Sequence, residues 1–204
     1  MKAGTDAALA MAMGHVILKE YYIDKETPYF KEYAKEFTDM PFPVRVEDIN
    51  GAVQPGRFLN AKDLGSKEDG ADFQTVLIDE TTNEIVVPNG TMGDRHTHPE
   101  KWNLRLENRN TGAKIDPRLS VFDQREDVTV VKLPYFGDEE HEGVIERAIP
   151  TITVQTVDGP VKVTTVYDLI LANYGIDRGI GGEVATSYTD DTPYTLHGKK
   201  KLLA

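Results

Sequence analysis

Apolar residues recur with two different periods along this 204-residue chain, and the change of period divides it. Near the start Ala8, Met11, Ala12, His15 and Leu18 fall at helical spacing. Met13, Val16 and Ile17 widen that stripe, which predicts a mostly buried helix. Thr5 or Asp6 is placed to accept hydrogen bonds from the free N–H groups of its first turn, and Ala7, Ala8 and Leu9 are strong helix formers. A second helix is predicted near residues 28–37. Pro28 suits a first-turn position, Phe30, Tyr33, Ala34 and Phe37 share one face, and Lys and Glu fill the other. Pro41 and Pro43 prevent its continuation.

From residue 44 to residue 163 the period becomes two. Residues 44–47 alternate. So do residues 73–78 and 84–87, separated by a stretch at 79–83 that suits a hairpin loop. Residues 102–106 alternate as well, and 128–133 read as a buried strand. Two further runs, 149–157 and 161–166, flank Asp158-Gly159, a hairpin signal. Antiparallel hairpins are expected rather than βαβ units. The loops at 65–71, 108–118 and 137–143 are polar and expected to be exposed. Helical spacing resumes over 166–174, with Thr164 or Thr165 as cap and Gly175 as a left-handed stop. Gly179, Gly181 and Gly182 follow in a flexible loop. The fold class is α+β, with helices flanking a hairpin-rich middle. No internal repeat or low-complexity tract is visible.

Composition narrows the function. An apolar share of 39% and a charged share of 28% are those of a soluble protein. A net charge of −11 argues against nucleic acid, which needs clustered Lys and Arg. No apolar run is long enough to insert directly into a membrane. The absence of cysteine removes disulfides and thiolate metal sites from this stretch.

Few residues carry candidate chemistry. His96-Thr97-His98 with Glu100 is the best metal-like cluster, but two imidazoles rarely hold a metal, and an exposed loop is the expected reading. Glu139-Glu140-His141-Glu142 reads as a solvated acidic loop. His15, set in an apolar helix, is expected to be a core histidine bonded to a backbone or carboxylate oxygen, with a proton relay as the functional alternative. No nucleophile elbow, Walker loop or dinucleotide fingerprint is present. The helix start is different: small residues and free N–H dipoles converge at Gly4-Thr5-Asp6, a plausible seat for a phosphate or a guanine edge.

Read together, the short words of the chain resemble one family. Residues 4–9 are similar to the Pro-Gly-Thr-Asp-Ala-Ala-Leu segment of molybdopterin-dependent oxidoreductases, and among these the chain resembles respiratory nitrate reductase alpha subunits. Tyr29-Phe30, Tyr33 and Thr38-Asp39-Met40-Pro41 match the next helix and its exit. Gly56-Arg57-Phe58-Leu59, Ala61-Lys62-Asp63-Leu64, Pro88-Asn89-Gly90, Lys101-Trp102-Asn103-Leu104 and Pro134-Tyr135-Phe136-Gly137 follow in family order. Val163-Thr164-Thr165-Val166-Tyr167-Asp168-Leu169, Leu171-Ala172-Asn173-Tyr174-Gly175 and Ala185-Thr186-Ser187-Tyr188 close the match, which runs from residue 4 to residue 195.

The resemblance implies an internal piece of a catalytic subunit that reduces nitrate to nitrite at a molybdenum bis(molybdopterin guanine dinucleotide) centre. It also implies an iron–sulfur cluster whose cysteines, like the aspartate on molybdenum, lie upstream. The implied partners are an electron-transfer beta subunit and a membrane gamma subunit, which place the enzyme on the membrane, at its cytoplasmic face, while this piece itself is soluble. Gly4, Thr5 and Asp6 match the loop that contacts a guanine dinucleotide: Asp6 accepts from the guanine N–H edge, and the N–H groups of Gly4 and Thr5 face phosphate or ribose oxygens. No catalytic residue and no metal ligand is carried over. Ala3 stands where the family has proline, so the start reads as an internal methionine or as an artificial cut within a longer chain.

This divides the chain into residues 1–43, a helical piece of the cofactor domain; 44–163, a β-rich insertion; 164–195, a helix and loop returning to that domain; and 196–204, a tail outside the match. The family continues Pro-Ala-Trp. The string CCT GCA TGG AAA GAA AAA ATT ACT GGC encodes Pro-Ala-Trp-Lys-Glu-Lys-Ile-Thr-Gly. Without its first base it encodes Leu-His-Gly-Lys-Lys-Lys-Leu-Leu-Ala, the sequence found here, so the tail is expected to be frame-shifted. The isolated piece is expected to be inactive. Two other readings stay open: a β-rich module that docks subunits or binds without catalysis, and an independent acidic α+β protein.

Overall fold

The computed structural model describes residues 6–90, 105–134 and 144–180. Helix α1, Asp6–Ile17, runs directly into a π-helical stretch, Leu18–Asp24, and α2 follows at Pro28–Phe37. The wider π turn shows in its bonds and its charges. Lys25 N–H donates to the Glu20 carbonyl at 3.0 Å, and the pairs Lys19–Asp24 (2.8 Å) and Lys25–Glu20 (3.1 Å) are both five residues apart.

Among the described residues nine strands come next: β1 Pro43–Ile49, β2 Ala52–Phe58, β3 Leu77–Ile78, β4 Ile85–Val86, β5 Pro88–Asn89, β6 Arg105–Asn108, β7 Asp127–Pro134, β8 Val144–Thr156 and β9 Gly159–Thr165. Helix α3, Val166–Asn173, ends the described fold. The class is α+β and the pairing is antiparallel, as the alternating pattern predicts.

The main sheet has the order β2-β1-β9-β8-β7. Its end strands β2 and β7 approach within 8 Å between Cα atoms, so the sheet curls on itself. The long strand β8 is the corner. Its residues 144–151 pair with β7, and its residues 152–156 pair with β9. The β1–β2 hairpin turns on Asn50-Gly51, both at positive φ (58° and 80°), the backbone of a tight two-residue hairpin.

Several expectations shift in detail. Of the predicted strand at 73–78 only Leu77–Ile78 is formed, paired with β4 across the 79–83 loop. Strand β7 buries only Val131 and Leu133, because its edge position leaves the rest half covered or exposed. Helix α1 is not mostly buried. His15 lies inside with Leu18 and Tyr22 of the π turn, whereas Met13, Val16 and Ile17 are 55%, 50% and 43% exposed. On α2 the apolar face is split: Ala34 is buried, but Tyr33 and Phe37 point outward. The polar loop at 108–118 is partly internal, since Ile115 and Arg118 are buried. Residues 196–204, the His96 to Glu100 cluster and the 139–142 acidic run lie outside the described residues.

The helices and the sheet share their core. Val131, Leu133, Ile145, Ala148 and Ile149 of β7 and β8 pack with Ala172 of α3, and Met11 of α1 packs against them. Leu18, Tyr22 and Ala34 pack with Leu119, Tyr167, Leu171 and Ile176. A fully buried aliphatic side chain stabilises by about 1.5–3 kcal/mol, so these contacts, not helix propensity, fix where the helices sit.

Candidate functional site

Of the three residues matched to the dinucleotide loop, Asp6 is described, while Gly4 and Thr5 lie outside the described residues. Asp6 is the first residue of α1 and is exposed, as is Ala7. The first four N–H groups of a helix have no partner within it. The described start of α1 therefore offers an exposed carboxylate at a helix end whose first N–H groups have no partner within the helix. A carboxylate here repels phosphate but accepts well from an N–H edge such as guanine's.

The other end of α1 is held firmly. His15 is buried, and its Nδ1 donates to the Tyr174 carbonyl at the end of α3, at 2.8 Å. This is the core histidine expected from the sequence. Next to it, a Cβ added at Gly14 would collide with the Tyr174 ring. The absent side chain is what lets α1 lie against α3.

Sequence reasoning missed a polar hub at the start of α3. Thr165 caps the helix, its hydroxyl accepting from Asp168 N–H at 3.2 Å. Asp168 is fully buried. Its Oδ1 accepts from the Ser120 hydroxyl at 2.6 Å and from Arg178 Nη1 at 2.7 Å, and its Oδ2 accepts from Val121 N–H at 2.9 Å. The Thr165 hydroxyl lies 2.6 Å from the Leu119 carbonyl and 2.9 Å from Asp168 Oδ2, and its one proton serves one of them. Ser120, in turn, accepts from Phe122 N–H at 3.1 Å. The cap was legible as Thr164 or Thr165. The partners of Asp168 were not, because Ser120 is 48 residues away and no local pattern links them.

Arg178 is the hub's outward member. Its side chain is 7% exposed, its Cζ sits 4.9 Å from the Phe122 ring centre, and its Nη2 is buried without a hydrogen-bond partner among the described residues. It borders a cavity of about 490 Å³ walled by Tyr22, Leu119, Phe122 and Tyr167. Burial is the main reason the Tyr167 phenol is pushed above its ordinary value. Both lysines at the rim are matched within the chain, Lys31 with Glu26 (2.6 Å) and Lys35 with Asp116 (2.5 Å), and Glu80 pairs with Arg118 (2.8 Å), while Asp123 adds an exposed carboxylate. Such a rim has no positive field to draw an anion; the cavity offers an unfilled Arg178 donor among aromatic walls.

A second charged knot is structural. Asp63 receives Arg57 in two bonds (Nη2 to Oδ1 at 2.5 Å, Nη1 to Oδ2 at 2.7 Å), Arg45 Nη1 at 3.0 Å and Asn60 N–H at 3.0 Å. Burial alone would raise its carboxyl. The hydrogen bonds of Arg57 and Asn60 and the charges of both arginines outweigh that and hold it below the usual range. Among the described residues no group of three or more His, Cys, Asp or Glu is placed to hold a metal ion, and no helix is long and apolar enough to cross a membrane.

No family model matches the chain. Individual relatives do. It is 46% identical over 195 residues to the nitrate reductase alpha chain of Bacillus subtilis (strain 168), covering 96% of this chain. It is 41% identical over 207 residues to the respiratory nitrate reductase 1 alpha chain of Escherichia coli (strain K12), covering 95% of this chain. It is 40% identical over 194 residues to the nitrate reductase alpha subunit of Mycobacterium tuberculosis (strain ATCC 25618 / H37Rv), covering 93%. The chain spans only 15–16% of the length of these three relatives.

Proposed function

The chain belongs, as a homologue of one segment, to the nitrate reductase alpha-chain family, and from that premise we propose that it is an internal segment of such a catalytic subunit and forms part of the seat of its cofactor. The observation that carries this reading is the match itself, which covers nearly all of this chain and only 15–16% of the three relatives named above. The fold would then be a layer of the molybdopterin oxidoreductase fold.

The implied group is a molybdenum bis(molybdopterin guanine dinucleotide), which when bound supplies the two-electron chemistry that turns nitrate into nitrite. The residues present suit its nucleotide end. Asp6, exposed on the first turn of α1, would accept from guanine N–H groups, and the N–H groups of Gly4 and Thr5 would meet phosphate or ribose oxygens. With no cysteine in the sequence and no metal-binding cluster among the described residues, the metal and the iron–sulfur cluster would be held by other parts of the subunit. The beta and gamma partners, attachment at the cytoplasmic face of the membrane and a role in anaerobic nitrate respiration belong to this proposal. The β-rich middle as a docking module is not better supported: Phe73 and Val157 are exposed there, but its best-buried side chains serve this chain's own core.

The test is a chimera in which this chain replaces the matching segment of the Bacillus subtilis alpha chain. A charge-assisted hydrogen bond is worth about 1.5–3 kcal/mol, so Asp6→Ala should weaken guanine dinucleotide retention about tenfold or more. Retention equal to that of the unsubstituted chimera would remove Asp6 from the seat.

A further inference from the structure

Helix α2 is amphipathic in an unusual way. Its helical period places Tyr29, Tyr33 and Phe37 on one flank and Lys31 and Lys35 on the other, with Phe30 and Ala34 between them on the core side. The first flank is an uncovered ladder of rings: the three aromatics are 69%, 50% and 64% exposed, with ring centres 6.4 Å and 5.1 Å apart. The ladder is continuous with the π turn, because Tyr29 and Tyr21 both pack on Phe30, at 5.8 Å and 5.2 Å. Met13, Val16 and Ile17 of α1 are exposed as well. Contiguous apolar surface of this kind marks an interaction site. The second flank borders the cavity where Arg178 Nη2, buried and without a partner among the described residues, needs an acceptor.

We propose that α2 is an internal helix of the alpha chain, covered on both flanks by polypeptide of that chain lying outside these 204 residues. Apolar side chains cover the Tyr29–Tyr33–Phe37 ladder, and a backbone carbonyl or carboxamide oxygen reaches Arg178 Nη2. This rests on the reading of the chain as a segment of a longer alpha chain.

Three observations select that occupant. The relatives extend far beyond the matched stretch, which is 16% of the Bacillus subtilis chain, so ample polypeptide exists to do the covering. The two surfaces lie on opposite flanks of one helix. A bilayer or a second copy of this chain meets one side only, whereas a chain that wraps the helix meets both. The charges agree. The lysines of the described helical layer are paired with Asp24, Glu20, Glu26 and Asp116, so among the described residues this layer presents no basic patch to an anionic lipid surface. Arg178 is already neutralised by Asp168, so what it lacks is an acceptor rather than a negative charge.

The experiment uses the chimera described above, with the photo-reactive residue p-benzoylphenylalanine placed at Tyr33 in one version and at Gln124, exposed beside the cavity, in another. The expected result is that irradiation of each joins it, within a single alpha chain, to peptides outside the grafted segment, identified by mass spectrometry. Cross-links to residues within the grafted segment, to a second copy, to another subunit or to lipid, or a missing cross-link at either one of the two positions, would overturn the proposal. If the chimera does not accumulate, the same photo-reactive residue is placed in the unsubstituted Bacillus subtilis alpha chain at the positions matching Tyr33 and Gln124, with the same expected and contrary results. The cofactor content of the same chimera is read separately, so loss of the cofactor reading and loss of this one are told apart.

Discussion

Asp168 shows how much of this molecule's order depends on single polar contacts. It is a buried carboxylate facing Arg178, Ser120 and Val121 N–H. Asp168→Asn keeps the shape but removes the charge opposite a buried guanidinium, and breaking such a pair costs about 3–5 kcal/mol. Ser120→Ala removes hydrogen bonds to these charged groups, worth about 1.5–3 kcal/mol, but leaves the Asp168–Arg178 ion pair in place. Urea unfolding should therefore show the larger stability loss for Asp168→Asn, and an equal or larger loss for Ser120→Ala would show that the hub is not an ion-pair hub. Asp63 gives a prediction in pH. Its carboxyl is held low, so the stability it contributes is complete above the ordinary aspartate value near about 4 and is lost as pH falls through its lower folded value. The urea midpoint of the parent chain should drop between roughly pH 5 and pH 3, and that of Asp63→Asn should drop less. The slope does not vanish in the variant, because Asp79 is also held low by hydrogen bonds that outweigh its burial. At this scale the sequence was readable only where partners are local. The Thr165 cap and the buried His15 could be anticipated. The Ser120–Asp168–Arg178 contacts and the Arg45–Asp63–Arg57 knot could not, because tertiary folding alone brings them together.

Among the elements, α1 and α3 are the pair whose fit can be tested most sharply. Replacing Gly14 with alanine gains about 1 kcal/mol of helix propensity. Against this stands the overlap of the new Cβ with the Tyr174 ring, a crowding of the kind that costs about 1–3 kcal/mol. Gly14→Ala should therefore destabilise the parent chain and stabilise a Tyr174→Ala background, a reversal of sign that urea unfolding would detect. The same sign in both backgrounds would mean that close approach does not explain Gly14. Helix α2 and the Asp158-Gly159 hairpin were legible because each carries its own period and stop signals. The sidedness of the helices was not. Helical spacing groups Tyr33 and Phe37 with Ala34, but the core covers only the narrow strip occupied by Phe30 and Ala34. Nor does any local pattern reveal that β8 changes partner between Thr151 and Ile152 and so closes the curl of the sheet.

As a whole molecule, the chain combines a genuine core with surfaces that a self-sufficient protein covers. Among the described residues one apolar cluster ties α1 and α3 to β7 and β8 and a second ties the helices to one another, while the ring ladder and the start of α1 face outward. At this scale the sequence spoke through family resemblance rather than through physics. Ordered short words pointed to nitrate reductase alpha chains, and relatives 40–46% identical bear that out. The isolated chain is predicted not to couple oxidation of reduced viologen to nitrate, since it carries at most one edge of the cofactor seat. The central claim, that this segment serves as part of that seat, is tested most directly by the molybdenum and guanine nucleotide content of the purified Bacillus subtilis chimera. The prediction is one molybdenum and about two guanine nucleotides per alpha chain, as the bis-dinucleotide form of the cofactor requires. A chimera that assembles with its partner subunits yet carries neither would contradict the account.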